Sequence, residues 1–516
     1  MQPWFSGFAL VNFLASIVCI GLVVYSALYR PVRLARPSFI ISILAILLYQ
    51  IPLVLFAPLF INYLPNALWF ATSINFAVIT NILWVFATPQ LNIRSLEQGV
   101  EDSFRNDSQG FTLWFPIVLL IISLFLYFRK IPLDCTALYA LFVDQDLTLL
   151  VREITGKLMG RTYAPHILNM ITGSIGPIVA FLAASRIYIG FKDKKWLQII
   201  LWLCLLIIVT VVPLLGGAKG ALIPMGVAMA ITGSLVVRGW KWRIIVVSLI
   251  AVIMMAMITV VKVAQESNVG KGNYQFGSCI VELGVCDRTE VLLQSLKLPK
   301  SYYGMSRERI DQIENEMLHD CKLPPQEKQN PAQLQQDTSE IAKEPEKTLI
   351  THIKGLFYRI VANPLQMASW HYLYVAEYGE PGFYGLSMAK LFVNDYISIP
   401  AKVCEIYYSG DKTSACTAPT GYLFTYPAYL GIAGLFLALF VTIIFDIAGA
   451  LVIKYSTDNF ASLAIGLITV AGINFMVADF TTVIISHGAG SALWLLTILC
   501  LYRKGKSDSL NNHNTL

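Results

Sequence analysis

The chain has 516 residues, 56% of them hydrophobic and only 14% charged, and its mean hydropathy is +0.63. An ordinary soluble domain is about 25% charged, so water is not the main solvent for this chain. The net charge of +6 is no nucleic-acid footprint: the basic excess sits in short clusters flanking apolar blocks, such as Arg30/Arg33/Arg36, Lys192/Lys194/Lys195, Arg238/Lys241/Arg243 and Arg503/Lys504/Lys506, whereas the long stretch 264–420 is slightly acidic.

The apolar blocks are each about 20 residues long, enough for a helix to cross ~30 Å of hydrocarbon. The fold class they predict is an all-α polytopic membrane protein with about eleven transmembrane helices. In chain order the blocks are 5–29, 38–60, 67–88, 111–128, 166–188, 197–215, 219–237, 244–263, 422–447, 460–485 and 487–502. The first lacks a basic leader and is long enough to stay as an anchor. The bias of Lys and Arg toward the cytoplasm places 30–37, 89–110, 189–196, 238–243, 448–459 and the C-terminus inside, and the N-terminus outside.

Three regions follow from this alternation. Residues 1–263 hold helices one to eight with an outer basic segment at 129–165, 264–421 form a large outer loop, and 422–516 hold the last three helices and a cytoplasmic tail. Within the loop, 322–350 is rich in Gln, Glu, Lys and Pro and reads as a flexible insert. Segment 355–408 is aromatic but interrupted by Pro364, Pro381 and Pro400, which predicts helices lying at or dipping into the interface. A further pair of spans there would preserve the same alternation. Cys135, Cys279, Cys286, Cys321, Cys404 and Cys416 fall on the outer side, where oxidation pairs thiols; 279/286 and 404/416 are the favoured pairs, with connectivity left open. No cysteine spacing reads as a zinc site.

Chemistry is expected on the outer side. Arg129, Lys130, Arg152, Lys157 and Arg161 make the first outer segment unusually basic, which suits a lipid pyrophosphate, although Asp134, Asp144, Asp146 and Glu153 offer ordinary ion-pair partners. Lys219 lies in Gly216-Gly-Ala-Lys-Gly-Ala221 at the start of a helix, where a cation opposes the helix dipole unless an anion is bound; a plain tight turn is the alternative. In the segment Gly355 to Gly379, Arg359, Asn363, Gln366 and Trp370 share a helical face continued by Tyr374 and Tyr378, a row that suits a phosphosugar as well as interfacial packing. His371 and Glu377 are the nearest candidates for a general base. Asp479, with Asn474 near it, is costly in hydrocarbon and must face the bundle interior or a cavity. The pair Asp144 and Asp146 is the alternative site for a divalent metal.

These pieces resemble the Wzy-type O-antigen and oligosaccharide repeat-unit polymerases, and more loosely the O-antigen ligases. The resemblance rests on the many spans with a late outer loop, the turn Ala218-Lys219-Gly220, the segment Arg359 to Tyr378, and the run Pro419 to Gly434 that opens the helix after the loop. Lys219 stands where the family usually has Arg, which keeps the charge and loses the two-pronged phosphate contact. The resemblance implies a GT-C-like architecture and a membrane glycosyltransferase that needs no metal or cofactor. The enzyme would sit in the bacterial inner membrane with its active site facing the periplasm, moving a growing glycan from undecaprenyl pyrophosphate to an incoming lipid-linked repeat unit. It implies Arg152, Arg161, Lys219 and Arg359 on the pyrophosphate, His371 or Glu377 as base, and Trp370, Tyr374, Tyr378 and Tyr426 on the glycan. Its implied partners are lipid-linked glycans, membrane lipids, a chain-length regulator and a flippase, with no nucleic acid. The rivals are a ligase, which differs in its acceptor, and a polyprenyl-glycan transporter, which would show internal repeats and broken helices; the sequence shows no convincing repeat.

Overall fold

The computed structural model describes residues 12–22, 25, 36–55, 64, 66–88, 110–143, 151, 164–216, 222–236, 240–267, 363–393, 398–409, 420–456 and 458–513. Every element among them is helical. Seven helices are long and apolar enough to cross a membrane: Pro37–Leu55 (α2), Ala67–Ala87 (α3), Gly110–Phe128 (α4), His166–Lys192 (α6), Trp196–Gly216 (α7), Tyr422–Tyr455 (α12) and Phe460–Val477 (α13). Four shorter apolar helices stand beside them, Asn12–Leu22 (α1), Met225–Val236 (α8), Arg243–Met254 (α9) and Ala489–Tyr502 (α14). The chain is thus a multi-pass helical membrane protein. The remaining helices are Ala137–Val143 (α5), Asn363–Tyr378 (α10) and Ile399–Cys404 (α11).

The outer faces explain why this bundle needs lipid. Leu197, Ile200 and Leu201 on α7, Trp114, Ile121 and Phe125 on α4, and Ile432, Phe436 and Phe440 on α12 are all exposed, with Leu197 at 73%. Such a belt is stable against hydrocarbon and would aggregate in water. Inside, polar side chains join helices where apolar packing gives little net drive. Asn75 Nδ2 donates to Asn12 Oδ1 at 2.5 Å and Gln50 Nε2 donates to Asn75 Oδ1 at 2.8 Å, which ties α1, α2 and α3 together.

One end of the bundle closes on a buried ion pair. Arg36 Nη2 donates to Asp446 Oδ2 at 2.5 Å, and Asp446 also accepts from Ser38 N at 3.1 Å, Ser38 Oγ at 2.6 Å and Trp84 Nε1 at 3.1 Å. The guanidinium reaches Thr88 as well, so α2, α3 and α12 meet there. Phe111 against Tyr502 and Ser456 against Cys500 belong to the same end. The opposite end gathers α5, the start of α6, α10, α11 and the segment 478–488.

The sequence reads α12 as one ordinary span; the structure breaks it. Gly431 has φ 57° and ψ −135°, a backbone geometry open essentially to glycine alone. The chain reverses there, so that 422–430 lies back along 434–442. Tyr422 Oη and Thr442 Oγ1 are 2.5 Å apart, and a Cβ on Gly434 would fall 2.0 Å from the Tyr426 carbonyl oxygen. The returning arm is enclosed on every side, with Tyr422, Leu423, Phe424, Thr425, Tyr426, Ala428 and Tyr429 all buried. Phe424 packs against Tyr49 with ring centroids 3.8 Å apart and planes tilted by 32°, and Trp69 Nε1 donates to the Pro427 carbonyl at 3.4 Å. Non-helical backbone at such depth is tolerated because protein, not lipid, surrounds it. The predicted span 460–485 is also shorter as a helix, since α13 ends at Val477 and a break at Ala478 and Asp479 precedes a separate wound turn, Thr482–Ser486.

Candidate functional site

α10 carries five of the ten predicted site residues, His371, Glu377, Trp370, Tyr374 and Tyr378, and it divides them between two faces. Leu365, Ala368, His371 and Tyr372 are buried, with the helix packed against Ile46–Gln50 of α2 and against α12, while Glu377 and Tyr378 at its last turn are exposed. Pro364 at the start of the helix costs no hydrogen bond, because the first N–H groups have no partner there in any case.

The other face of α10 carries a row of aromatic rings, of which Tyr378 is exposed, Trp370 half-buried and Tyr374 buried. Trp370 stacks on Tyr407 with ring centroids 6.5 Å apart and planes at 23°, and Tyr374 stacks on Tyr378 at 4.9 Å and 27°. Tyr407, in the wound turn Glu405–Ser409 that continues α11, donates its hydroxyl to Glu377 Oε2 at 2.5 Å. Burial and the Glu377 carboxylate push the Tyr407 hydroxyl above its ordinary pKa, so it remains a donor throughout the neutral range. Burial, followed by its neighbour Tyr378, raises the Tyr374 hydroxyl as well. Flat rings flanked by a carboxylate are a chemistry that grips sugars, with ring faces under the pyranose and an acceptor for its hydroxyls.

The inner face of α10 is closed. His371 is fully buried, and its Nδ1 lies 2.5 Å from the Tyr429 hydroxyl on the returning arm. A ring enclosed in this way holds α10 to the arm and is out of reach of an acceptor sugar in this conformation, unlike Glu377. Tyr426 is also enclosed, on the other side of the arm, where its hydroxyl meets Asp479. The structure therefore brings Trp370, Tyr374, Tyr378 and Glu377 together and sets His371 and Tyr426 apart from them.

Asp479 is the second polar centre at this end. Its Oδ1 accepts from Ser387 Oγ at 2.5 Å, Thr481 N at 2.9 Å and Thr481 Oγ1 at 2.8 Å. It caps the turn that follows α13 and fastens it to the short helix Ser387–Leu391 of the outer loop. Thr482 Oγ1 adds a contact to Ser387 at 3.4 Å. Ser387 and Tyr407 were not read from the sequence as functional; no periodicity or spacing marks either, and only the fold brings them to these carboxylates.

Arg152, Arg161, Lys219 and Arg359, the predicted pyrophosphate ligands, lie outside the described residues, as do Asp144 and Asp146. Among the described residues no group of three or more His, Cys, Asp and Glu side chains is set to hold a metal ion. Cys135 and Cys404, both at the platform end, are disulfide-bonded, whereas Cys19, Cys204 and Cys500 within helices are free. Cys279, Cys286 and Cys416 of the favoured pairings lie outside the described residues. Comparison with protein-family models, with curated proteins and with solved structures finds no match to this chain.

Proposed function

We propose that the chain is a membrane glycosyltransferase that polymerises lipid-linked oligosaccharide repeat units, moving the growing glycan from undecaprenyl pyrophosphate to the incoming unit. The observation that carries this reading is the stacked platform of Trp370, Tyr374, Tyr378 and Tyr407 with Glu377 at one end of a lipid-embedded bundle. A lipid-linked sugar presents its glycan at that level while its polyprenyl tail stays in hydrocarbon. The resemblance of the Arg359 to Tyr378 and Pro419 to Gly434 segments to repeat-unit polymerases adds the reaction type.

In this reading α1, α8, α9 and α14 also cross the membrane, giving eleven spans of GT-C-like kind. The platform faces the periplasm of a bacterial inner membrane. Support for that side comes from the disulfides of Cys135 and Cys404, since such bonds persist in oxidising compartments. Arg152, Arg161, Lys219 and Arg359 would stabilise the charge that builds on the departing pyrophosphate. A chain-length regulator and a flippase are the partners such an enzyme works beside.

Deleting the gene and analysing surface glycan tests the reading. The expected result is single repeat units attached to the cell surface. Long chains left unattached to their lipid core would identify a ligase and overturn it. Joint neutralisation of Arg152 and Arg359 is expected to shorten the chains; normal length would remove the pyrophosphate role.

A transporter of polyprenyl-linked glycans is a second reading, favoured by one observation: the break at Gly431 and the returning arm 422–430 are of the kind found in discontinuous transporter helices. Flipping of a labelled lipid-linked glycan across proteoliposomes, without chain lengthening, would select it.

A further inference from the structure

We infer that the segment 380–392 of the outer loop is a membrane-boundary anchor, with the rings of Phe383, Tyr384 and Phe392 lying between the headgroups and first acyl carbons of phospholipid at this end of the bundle. The inference needs only a lipid-embedded bundle and does not depend on the reaction.

One side of the segment is tied down. Left-handed turns at Gly379 and Gly382, with φ 85° and 60°, lead the chain out of α10 into two short helices, Gly382–Gly385 and Ser387–Leu391. Leu386 and Ala389 are buried, and Gly385 is pressed so closely onto the returning arm that a Cβ there would fall 2.8 Å from the Tyr429 ring. Ser387 Oγ donates to Asp479 just past the end of α13. The segment is therefore held to α12 and α13 at a fixed height.

The other side is a single apolar patch. Phe383 is 6.5 Å from Tyr384 and 6.3 Å from Phe392 between ring centroids, and all three are exposed, Phe392 at 73%, the same value as Leu197 in the lipid-facing belt. No charged residue interrupts 381–389. A patch of this kind marks a surface that another phase or molecule covers.

Its height identifies phospholipid as the cover. The exposed stripe Ile432, Phe436 and Phe440 of α12 begins one residue after Gly431, and the Glu380 carboxylate lies 3.6 Å from where a Cβ on Gly431 would be. The patch thus starts level with the top of a lipid-facing helix, where hydrocarbon gives way to headgroups. Aromatic rings favour that depth, and a tyrosine can keep its hydroxyl in the wet layer. Because the same segment is fastened to the arm and to Asp479, the anchor also sets the height of the α10 rings above the bilayer.

The test uses full-length wild-type protein in vesicles of phosphatidylethanolamine and phosphatidylglycerol. A trace of phospholipid carries a photoreactive diazirine on its acyl chain, beside the ester in one preparation and at the methyl end in another, and labelled residues are mapped by mass spectrometry. The shallow probe is expected to label Phe383, Tyr384 and Phe392, and the deep probe to label the helix belt and leave the patch unmarked. Replacing Phe383→Ser together with Phe392→Ser should abolish shallow labelling of 381–393 and leave the belt labelled; should that variant fail to fold, the two probes on wild-type protein decide alone. An unmarked patch beside a labelled belt, equal marking of the patch by both probes, or undiminished labelling of the folded double variant overturns the anchor. Labelling that emerges only when the protein is diluted in the vesicles gives the patch to a second copy of the chain and overturns it as well.

Discussion

Asp446 and Arg36, 410 positions apart in the chain, meet at 2.5 Å in a pocket sealed from solvent, with the Ser38 and Trp84 donors bonded to the same carboxylate. The attraction itself brings little net stability, because both ions had to leave water; the larger effect is the penalty for removing one of them. Asp446→Ala is expected to destabilise the bundle by ~3–5 kcal/mol, read as a fall in the melting temperature of detergent-purified protein. The double replacement Arg36→Met with Asp446→Leu should recover most of the loss. A single variant that melts like the wild type would show that the pair does not hold α2 to α12.

Gly431 and Gly434 make the reversal of α12 possible for different reasons. Alanine at 431 must adopt φ 57°, a strain of about 1–3 kcal/mol. Alanine at 434 would place its Cβ 2.0 Å from a backbone oxygen that has no freedom to move, so the arm must separate from the rest of the helix. Gly434→Ala should therefore be the more damaging, with both variants losing protease resistance around 422–430. Equal stability of Gly434→Ala and wild type would mean that the arm does not fold back.

The platform predicts a graded series. Each of Trp370→Ala and Tyr378→Ala should weaken glycan binding by the ~0.5–1.5 kcal/mol typical of one aromatic pair, measured by titration of a soluble repeat-unit glycan. Tyr407→Phe keeps the stacking on Trp370 but removes the hydroxyl from Glu377, so it should cost less than loss of the ring. Unchanged binding in Trp370→Ala would take the sugar elsewhere.

His371 offers a clean separation of fold from chemistry. Its removal takes away the buried hydrogen bond to the Tyr429 hydroxyl, a net loss of about 0.5–1.5 kcal/mol, together with the packing of the ring. His371→Ala should therefore melt early, whereas the acid limb of the activity profile stays in place. A shift of that limb would make His371 the base after all.

Much of the bundle is visible in the sequence because hydrocarbon imposes one simple rule, a run of apolar residues long enough to cross. The edges of α3 and α4 match their predicted blocks to within a residue. The break at Gly431 escapes that rule: glycine and proline are frequent in membrane helices, and Tyr422 to Phe445 carries no charged residue, so hydropathy sees a single span. Asp446 drew no attention for a related reason, since its partner Arg36 lies in a basic cluster that reads as topology. On α10 the helical spacing gathers Trp370, Tyr374 and Tyr378 correctly, but the neighbouring His371 differs only in the direction it faces. Spacing cannot say which face of a helix another segment will cover. That information arrived with Tyr429 and Tyr407, from elements distant in the chain.

The returning arm has a bearing on how the protein is made. Its walls include Tyr49 and Trp69 from early in the chain and Phe475 beside Tyr422 from near the end, so its resting place does not exist until α13 has been synthesised. Until then the five large side chains Tyr422, Leu423, Phe424, Tyr426 and Tyr429 wait without these walls, on an arm too short to be integrated into the bilayer as a span of its own. Completion of the core therefore falls to the last stage of biogenesis, and a chain cut short after α12 would carry an uncovered apolar segment for membrane proteases to find.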